Sequence, residues 1–252
     1  MGVSGAVDGV VDRARHHVRR PLARTPYLWD LTMLLRAGKR STLARRDTGI
    51  VIEGFLRSGN TFAVAAFVVA NGTTVHVGRH LHGAPHVLRS VRLGLPTLVL
   101  IRRPADAVAS YLVRRPTLTP EDALLEYLDF YRTAWPARHG FVVGCFEHVV
   151  SDFGSVIEAV NLRFGTHFAP YLPTAENQAA AFALVEEMNR LECRGQLVET
   201  HVGRPSAQRE SRKEDIHARM RTPRAQRLLA EADKVFEQYA RLAPASPDTA
   251  SF

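Results

Sequence analysis

The residues best suited to chemistry stand in the stretch Gly54 to Thr61, "GFLRSGNT", between the apolar run "GIVIE" and the helix-like "FAVAAFVVANG". A strand ending at Gly54, a tight turn containing Gly59 and a helix beginning near Asn60 would form an anion site, because backbone N–H groups converge there and the helix dipole favours negative charge. Ser58, Asn60 and Thr61 add side-chain donors, and Arg57 adds a planar cationic fork. The stretch falls one residue short of the P-loop G-x-x-x-x-G-K-[ST], since Asn60 stands where that motif needs lysine. Arg-Ser-Gly-Asn-Thr is also a costly, polar way to build a turn that binds nothing.

Two further groups of residues accompany it. In "LIRRPADAVASYLVRR", Arg102 closes an apolar run, at the strand end where open α/β sheets place their ligands. Pro104 can begin a helix, and Ser110, eight residues past Arg102, lies two turns into it, so both can point at one anion. In "HVGRHLHGAPH", His76, His80, His82 and His86 have no cysteine or carboxylate among them, which argues for a single neutral imidazole acting as general base rather than for a metal site. His80 and His82 would share a face if extended, and the other two histidines are expected at polar edge or surface positions.

These groups need elements to hold them. The runs "GIVIEG" (49–54), "TVHV" (74–77), "TLVLIR" (97–102) and "FVVGCF" (141–146) predict buried parallel strands. Between them the sequence predicts helices from Asn60 to Ala70, from Pro85 to Leu93 and, capped by Thr119 with Pro120 at its first position, from there to Trp135. "DFGSVIEAVNLRF" puts Phe153, Val156, Ile157, Val160 and Phe164 on one face, and a last helix over about 223–242 does so with Leu228, Leu229, Ala232, Val235, Phe236, Tyr239 and Leu242. The alternation implies an α/β, three-layer, P-loop-like domain whose central parallel sheet carries helices on both faces. Residues 1–48 are expected to form a basic helical extension packed on this domain, 49–243 the domain itself and 244–252 a tail.

Composition sets the outer limits. The chain has 252 residues, 46% apolar and 23% charged, ordinary for one globular domain, with a formal net charge of +8 that favours anionic partners. Residues 1–48 carry ten Lys/Arg against four Asp, which admits peripheral contact with an anionic surface. Cys145 and Cys193 give no disulfide framework or metal spacing, Cys145 reading as a small buried apolar residue. The N-terminus lacks the unbroken apolar core of a secretory signal, and no run reaches the length of a membrane span, so a cytoplasmic protein is expected.

Taken together, the motifs resemble a known family. "GFLRSGNTF" is similar to the 5′-phosphosulfate loop of the sulfotransferases that use 3′-phosphoadenosine 5′-phosphosulfate (PAPS), and "RRPADAVASY" to their 3′-phosphate motif. "GRHLH" resembles the segment carrying the family's catalytic histidine, with His80 at the matching place and His82 a rival two residues on. "FEHVVSDFGSVIEAVNLRFG" is similar to the segment after the fourth strand, so the resemblance spans roughly residues 49–168. It implies that Arg57 contacts the transferring group and that Ser58, Gly59, Asn60 and Thr61 hold the 5′-phosphate. Phe62 and Phe146 would lie by the adenine, Arg102 and Ser110 would bind the 3′-phosphate, and Arg204 or Arg209 in "GRPSAQRESRK" would close over it. His80 would deprotonate the acceptor. The departures are Leu56 for a proline, Asn60 for a threonine and Gly78 for a lysine, with Arg79 beside it.

The expected reaction moves a sulfuryl group from PAPS to a hydroxyl or amine, releases 3′,5′-ADP (PAP) and needs no metal. The acceptor would be a small molecule, lipid or glycan, and the Ala/Arg-rich composition points to a GC-rich bacterial genome. A P-loop kinase with a degenerate loop is the enzymatic alternative, disfavoured by the missing lysine. A basic nucleic-acid-binding protein is the other, disfavoured because aromatics, 8% of the chain, are not interleaved with the basic residues, so that no specific nucleic-acid partner is expected. Oligomeric state is not legible in the sequence.

Overall fold

Three of the four apolar runs, with a strand that starts at Val77, the last residue of the run at 74–77, assemble into one all-parallel sheet. The computed structural model describes residues 41–193, 195–196 and 215–244, together with Trp29, Thr32 and Met33. Its strands are β1 (Ile50–Gly54), β2 (Val77–Arg79), β3 (Thr97–Ile101) and β4 (Val142–Cys145), in the order β2-β1-β3-β4. Every residue of β1 and β3 is buried, as expected of parallel strands covered on both faces.

The strand pleat sorts the core into two layers. Ile50, Ile52, Leu98 and Leu100 face helices α1 (Asn60–Asn71), α6 (Phe153–Phe164) and α7 (Ala175–Glu192). Val99 and Ile101 face α2 (Ala84–Arg92), α3 (Pro104–Arg114), α4 (Pro120–Ala134) and α8 (Pro223–Ala240). The short α5 (Phe146–Ser151) follows β4 directly. The three-layer α/β architecture is therefore present, and no helix among the described residues is long and apolar enough to cross a membrane.

Local signals account for most of the boundaries. Thr119 and Asp122 form a reciprocal capping box at the start of α4, with Pro120 at its first position. Asp152 caps α6 by accepting from the Ser155 N–H at 3.2 Å. The α6 face predicted from its periodicity is the buried one, with Phe164 partly covered. In α8 the same holds as far as Tyr239, but the helix ends at Ala240 and Leu242 is 42% exposed.

β2 departs from the sequence expectation. The strand expected at 74–77 occupies Val77–Arg79, because the parallel register pairs Ile50, where β1 begins, with Val77. Residues before Val77 lie beyond the end of β1. His76 there donates from Nε2 to Ser41 O at 2.7 Å and accepts at Nδ1 from the Thr48 hydroxyl at 2.9 Å, tying down the chain that enters the sheet. The shift brings the end of β2 up to His80, so the loop carrying His80 and His82 starts at the sheet's carboxyl edge.

Of the extension, Trp29 and Met33 pack with Leu43 and Leu81 in a small cluster beside the domain. The rest of 1–40, the basic segment 203–213 and the tail from 245 lie outside the described residues.

The topology also fixes where a ligand can sit. The chain leaves β1 through α1 on one face and leaves β3 through α3 and α4 on the other. Adjacent strands whose connections diverge in this way open a crevice at their carboxyl ends.

Candidate functional site

The loop after β1 is shaped by two glycines. Gly54 brings β1 so close to β3 that a Cβ there would lie 2.4 Å from Leu100 O. Gly59 has φ 92°, a left-handed backbone that glycine adopts without strain, and it begins α1 with no side-chain cap and no acid in the first turn. The amide donors of that turn therefore have no side-chain cap to meet them. Within the loop, Ser58 N–H and Asn60 Nδ2 both donate to Phe55 O, at 3.2 and 2.9 Å. The Phe55 ring packs edge-on between Tyr111 and Tyr127, a burial that contributes about 1.5–3 kcal/mol.

Two tyrosines one turn apart on α4 support this loop from below. Tyr131 donates its hydroxyl proton to Leu100 O at 2.7 Å. Its oxygen must then accept the longer contacts from Phe55 N–H and from the Ser58 hydroxyl, both at 3.4 Å. Burial pushes the Tyr131 phenol up, beyond the normal range for tyrosine, so it stays protonated. Tyr127 donates to Arg102 O at 2.9 Å and so braces the neighbouring loop.

The two loops meet directly. Arg57 Nε donates to Ser110 Oγ at 3.0 Å, and Arg102 Nη1 donates to Arg57 O at 3.3 Å. The Arg102 guanidinium stacks on Phe146, 3.9 Å from the ring centroid. Around them opens a cleft of about 520 Å³. Arg57, Gly59, Asn60, Thr61, Phe62, Arg102, Ser110 and Phe146 all line it, as do Arg114 and His82. Val149, Phe153, Tyr171 and Phe182 give it one apolar wall, where the Phe62 ring meets Tyr171 and Phe182. Among the described residues three arginines and no carboxylate line this space, so it is built for an anion joined to an apolar or aromatic group.

Three expected side-chain roles are placed otherwise: besides Ser58 and His80, Asn60 gives its Nδ2 donor to Phe55 O and not to the crevice. Ser58 is 0% exposed, and its hydroxyl turns down to Tyr131 instead of toward a phosphate. His80 does not line the cleft; its Nε2 is buried. That burial, reinforced by the charge of neighbouring His82, lowers the His80 pKa to about 3 and leaves it neutral. Arg204 and Arg209 lie outside the described residues.

The histidine loop after β2 has an unusual backbone. His80 and His82 have φ of 58° and 47°, and with Arg57 (68°) they are the non-glycine residues of positive φ among those described. Each such conformation costs roughly 1–2 kcal/mol and persists only where the surroundings impose it. All three stand at the carboxyl edge of the sheet. His82 Nδ1–H donates to Gly54 O at 3.2 Å, so the ring proton sits on Nδ1 and the Nε2 lone pair can take a proton. His80 and His82 have ring centroids 5.9 Å apart, and no group of three or more His, Cys, Asp or Glu among the described residues is spaced to hold a metal ion.

A buried carboxylate not singled out among the candidate residues holds this loop. Glu53, 0% exposed on β1, accepts from Leu81 N–H at 2.8 Å, His82 N–H at 3.1 Å and His86 Nδ1–H at 2.9 Å. Burial alone would push its carboxyl up; these donors, His86 foremost, outweigh it and keep the group ionised well below the usual carboxylate range. His86, expected at the surface, is fully buried, and its Nε2 accepts from Ala44 N–H at 2.8 Å. A lone carboxylate inside the apolar run "GIVIEG" was the available signal, since such a group needs partners when buried. Compared with models of protein families, with curated proteins and with solved structures, the chain has no significant match.

Proposed function

We propose that the chain is a sulfotransferase, moving a sulfuryl group from PAPS to the hydroxyl or amine of an acceptor and releasing 3′,5′-ADP. The observation that carries this is the convergence of Arg57, Arg102 and Ser110 at the uncapped start of α1, linked across 53 residues by the Arg57–Ser110 hydrogen bond. Two anion-binding loops on adjacent strand ends suit a nucleotide with two separated phosphates, and the aromatic wall suits its base. The residues present therefore fit the donor, with Asn60 in place of the lysine a nucleoside triphosphate would require.

When bound, the donor supplies a sulfur atom with a good leaving group, the bridging oxygen of a phosphate. The chain's residues divide the work around it. Thr61 and the first-turn amides of α1 hold the 5′-phosphate, while Arg102 and Ser110 hold the 3′-phosphate. His82 takes over the role expected of His80, because it lines the cleft and has a basic Nε2, whereas His80 is buried and points elsewhere. His82 Nε2 receives the acceptor proton as the new O–S (or N–S) bond forms and the S–O bond to phosphate breaks. The electron pair stays on that phosphate, where Arg57 and the helix N-terminus offset the charge. A sulfuryl group carries less charge than a γ-phosphoryl, so cationic side chains and amides can meet the electrostatic demand.

Incubation with isotopically labelled PAPS and a panel of lipid, glycan and small-molecule acceptors tests the proposal. Labelled sulfate on one acceptor with stoichiometric 3′,5′-ADP supports it. Transfer of phosphate from Mg-ATP to the same acceptors, with PAPS untouched, overturns it in favour of a kinase.

A further inference from the structure

Among the described residues Glu53 is the sole carboxylate that is fully buried, and the cleft chemistry above makes no use of it. It is also the hub of the histidine loop. Leu81 N–H and His82 N–H each reach one of its oxygens, at 2.8 and 3.1 Å, across the residues whose φ is left-handed. His86 cannot neutralise it: Ala44 N–H occupies the His86 Nε2 lone pair, so that ring donates from Nδ1 and stays uncharged. A net negative charge thus remains under the loop, with its second oxygen 4.0 Å from His82 Nδ1.

We propose that Glu53 is the positioning residue for His82, its carboxylate fixing the left-handed backbone that aims the imidazole into the cleft and facing the ring edge that carries the Nδ1 proton. The step it serves rests on the sulfuryl-transfer proposal, but the positioning itself does not. Around His82 the neighbouring groups divide by sign. Arg57, Arg102 and Arg114 share the cleft and oppose a positive ring, His80 beside it is held neutral by burial, and Glu53 on β1 favours the imidazolium formed when Nε2 takes a proton. The carboxylate touches no reacting atom. It orients the base and stabilises its product form, as a buried acid does behind a catalytic imidazole.

Nitrogen-15 histidine NMR on the full chain, in wild type and Glu53→Gln, is the direct test. In the wild type His82 is expected as the Nδ1–H tautomer. In Glu53→Gln its titration midpoint should move to lower pH, while affinity for 3′,5′-ADP stays within about threefold because the loop after β1 is untouched. In turnover, Glu53→Gln should lower kcat at least about tenfold, within the roughly 10²–10⁴-fold that a positioned base contributes, with KM for PAPS unchanged and the acid limb of the pH profile shifted down. In a His82→Gln background the same change should cost nothing more. Should Glu53→Gln not fold, Glu53→Asp keeps the charge and should preserve the titration midpoint while lowering kcat. An unaltered His82 tautomer and midpoint in Glu53→Gln, or a further loss in the His82→Gln background, overturns the assignment. If the wild type consumes no PAPS, the sulfuryl-transfer proposal fails, and the NMR result still decides whether Glu53 positions His82.

Discussion

The loops after β1 and β2 end at the same sheet edge and both bend through left-handed backbone, yet they reach it by different means. After β1 the bend includes Gly59, which adopts φ 92° at no steric cost, and a short polar sequence that satisfies itself through Phe55 O. After β2 the bend falls on His80 and His82, and a buried carboxylate from another strand holds it there. The first loop draws its turn from Gly59 and Phe55 O but still needs Tyr131 beneath it and holds Arg57 at φ 68°; the second takes its backbone from the Glu53 carboxylate. Glycine lets a short loop present its amides to a fixed group, and a backbone imposed by a buried carboxylate suits a side chain that must be aimed.

Substitutions can break this contrast, and the largest effect is expected at His82. His82→Gln should lower turnover by roughly 10²–10⁴-fold while leaving 3′,5′-ADP affinity intact, whereas His80→Gln should change turnover only a few-fold. Parallel kinetics and calorimetry on the two variants check it, and the reverse order of effects would return the base to His80. Next in size, Arg102→Ala should weaken 3′,5′-ADP binding by about 1.5–3 kcal/mol, the usual contribution of a hydrogen bond to a charged group. Isothermal calorimetry at fixed salt reads that loss.

The support beneath the first loop gives a smaller effect, on stability. Tyr131→Phe deprives Leu100 O of its donor and Phe55 N–H and the Ser58 hydroxyl of their acceptor, and should cost about 1–3 kcal/mol in urea unfolding. A loss of comparable size in 3′,5′-ADP affinity would show that loop geometry, as well as folding, depends on it.

The last effect, absent at neutral pH and growing as pH falls, is a pH dependence specific to the second loop. His80 has a pKa lowered to about 3 in the folded chain, against 6.5 when unfolded, so the unfolded state binds the extra proton between these values. The stability associated with neutral His80 is therefore complete above pH 6.5 and drains away as pH falls toward 3, at up to about 1.4 kcal/mol per pH unit for one proton. Denaturant midpoints measured from pH 7 to 4 should fall less steeply in His80→Asn than in the wild type. Equal slopes would mean that His80 protonates without opposition in the native state.

What was legible in the sequence follows the same division. β1, β3, the glycine-shaped loop, Arg102 with Ser110, and the Thr119 cap were readable because each depends on residues within about two helical turns of one another. The position of β2 was not, because it is set by pairing with Ile50, across 27 residues, rather than by its own apolar content. The inward turn of Ser58 depends on Tyr131, 73 residues away, and the burial of His86 on Glu53, 33 residues away. Polarity alone suggested a ligand-facing hydroxyl in the first case and an exposed imidazole in the second. In both, a buried partner distant in sequence decided otherwise.

The proposed sulfuryl transfer requires the paired arginine loops to hold a nucleotide with a 3′-phosphate rather than a triphosphate. Calorimetric titration of the full chain with 3′,5′-ADP in the presence of EDTA, set beside a titration with Mg-ATP, tests it most directly. Tight, metal-independent binding of 3′,5′-ADP that weakens in both Arg57→Ala and Arg102→Ala is the predicted result. Preferential binding of Mg-ATP, with no measurable heat from 3′,5′-ADP, would contradict it.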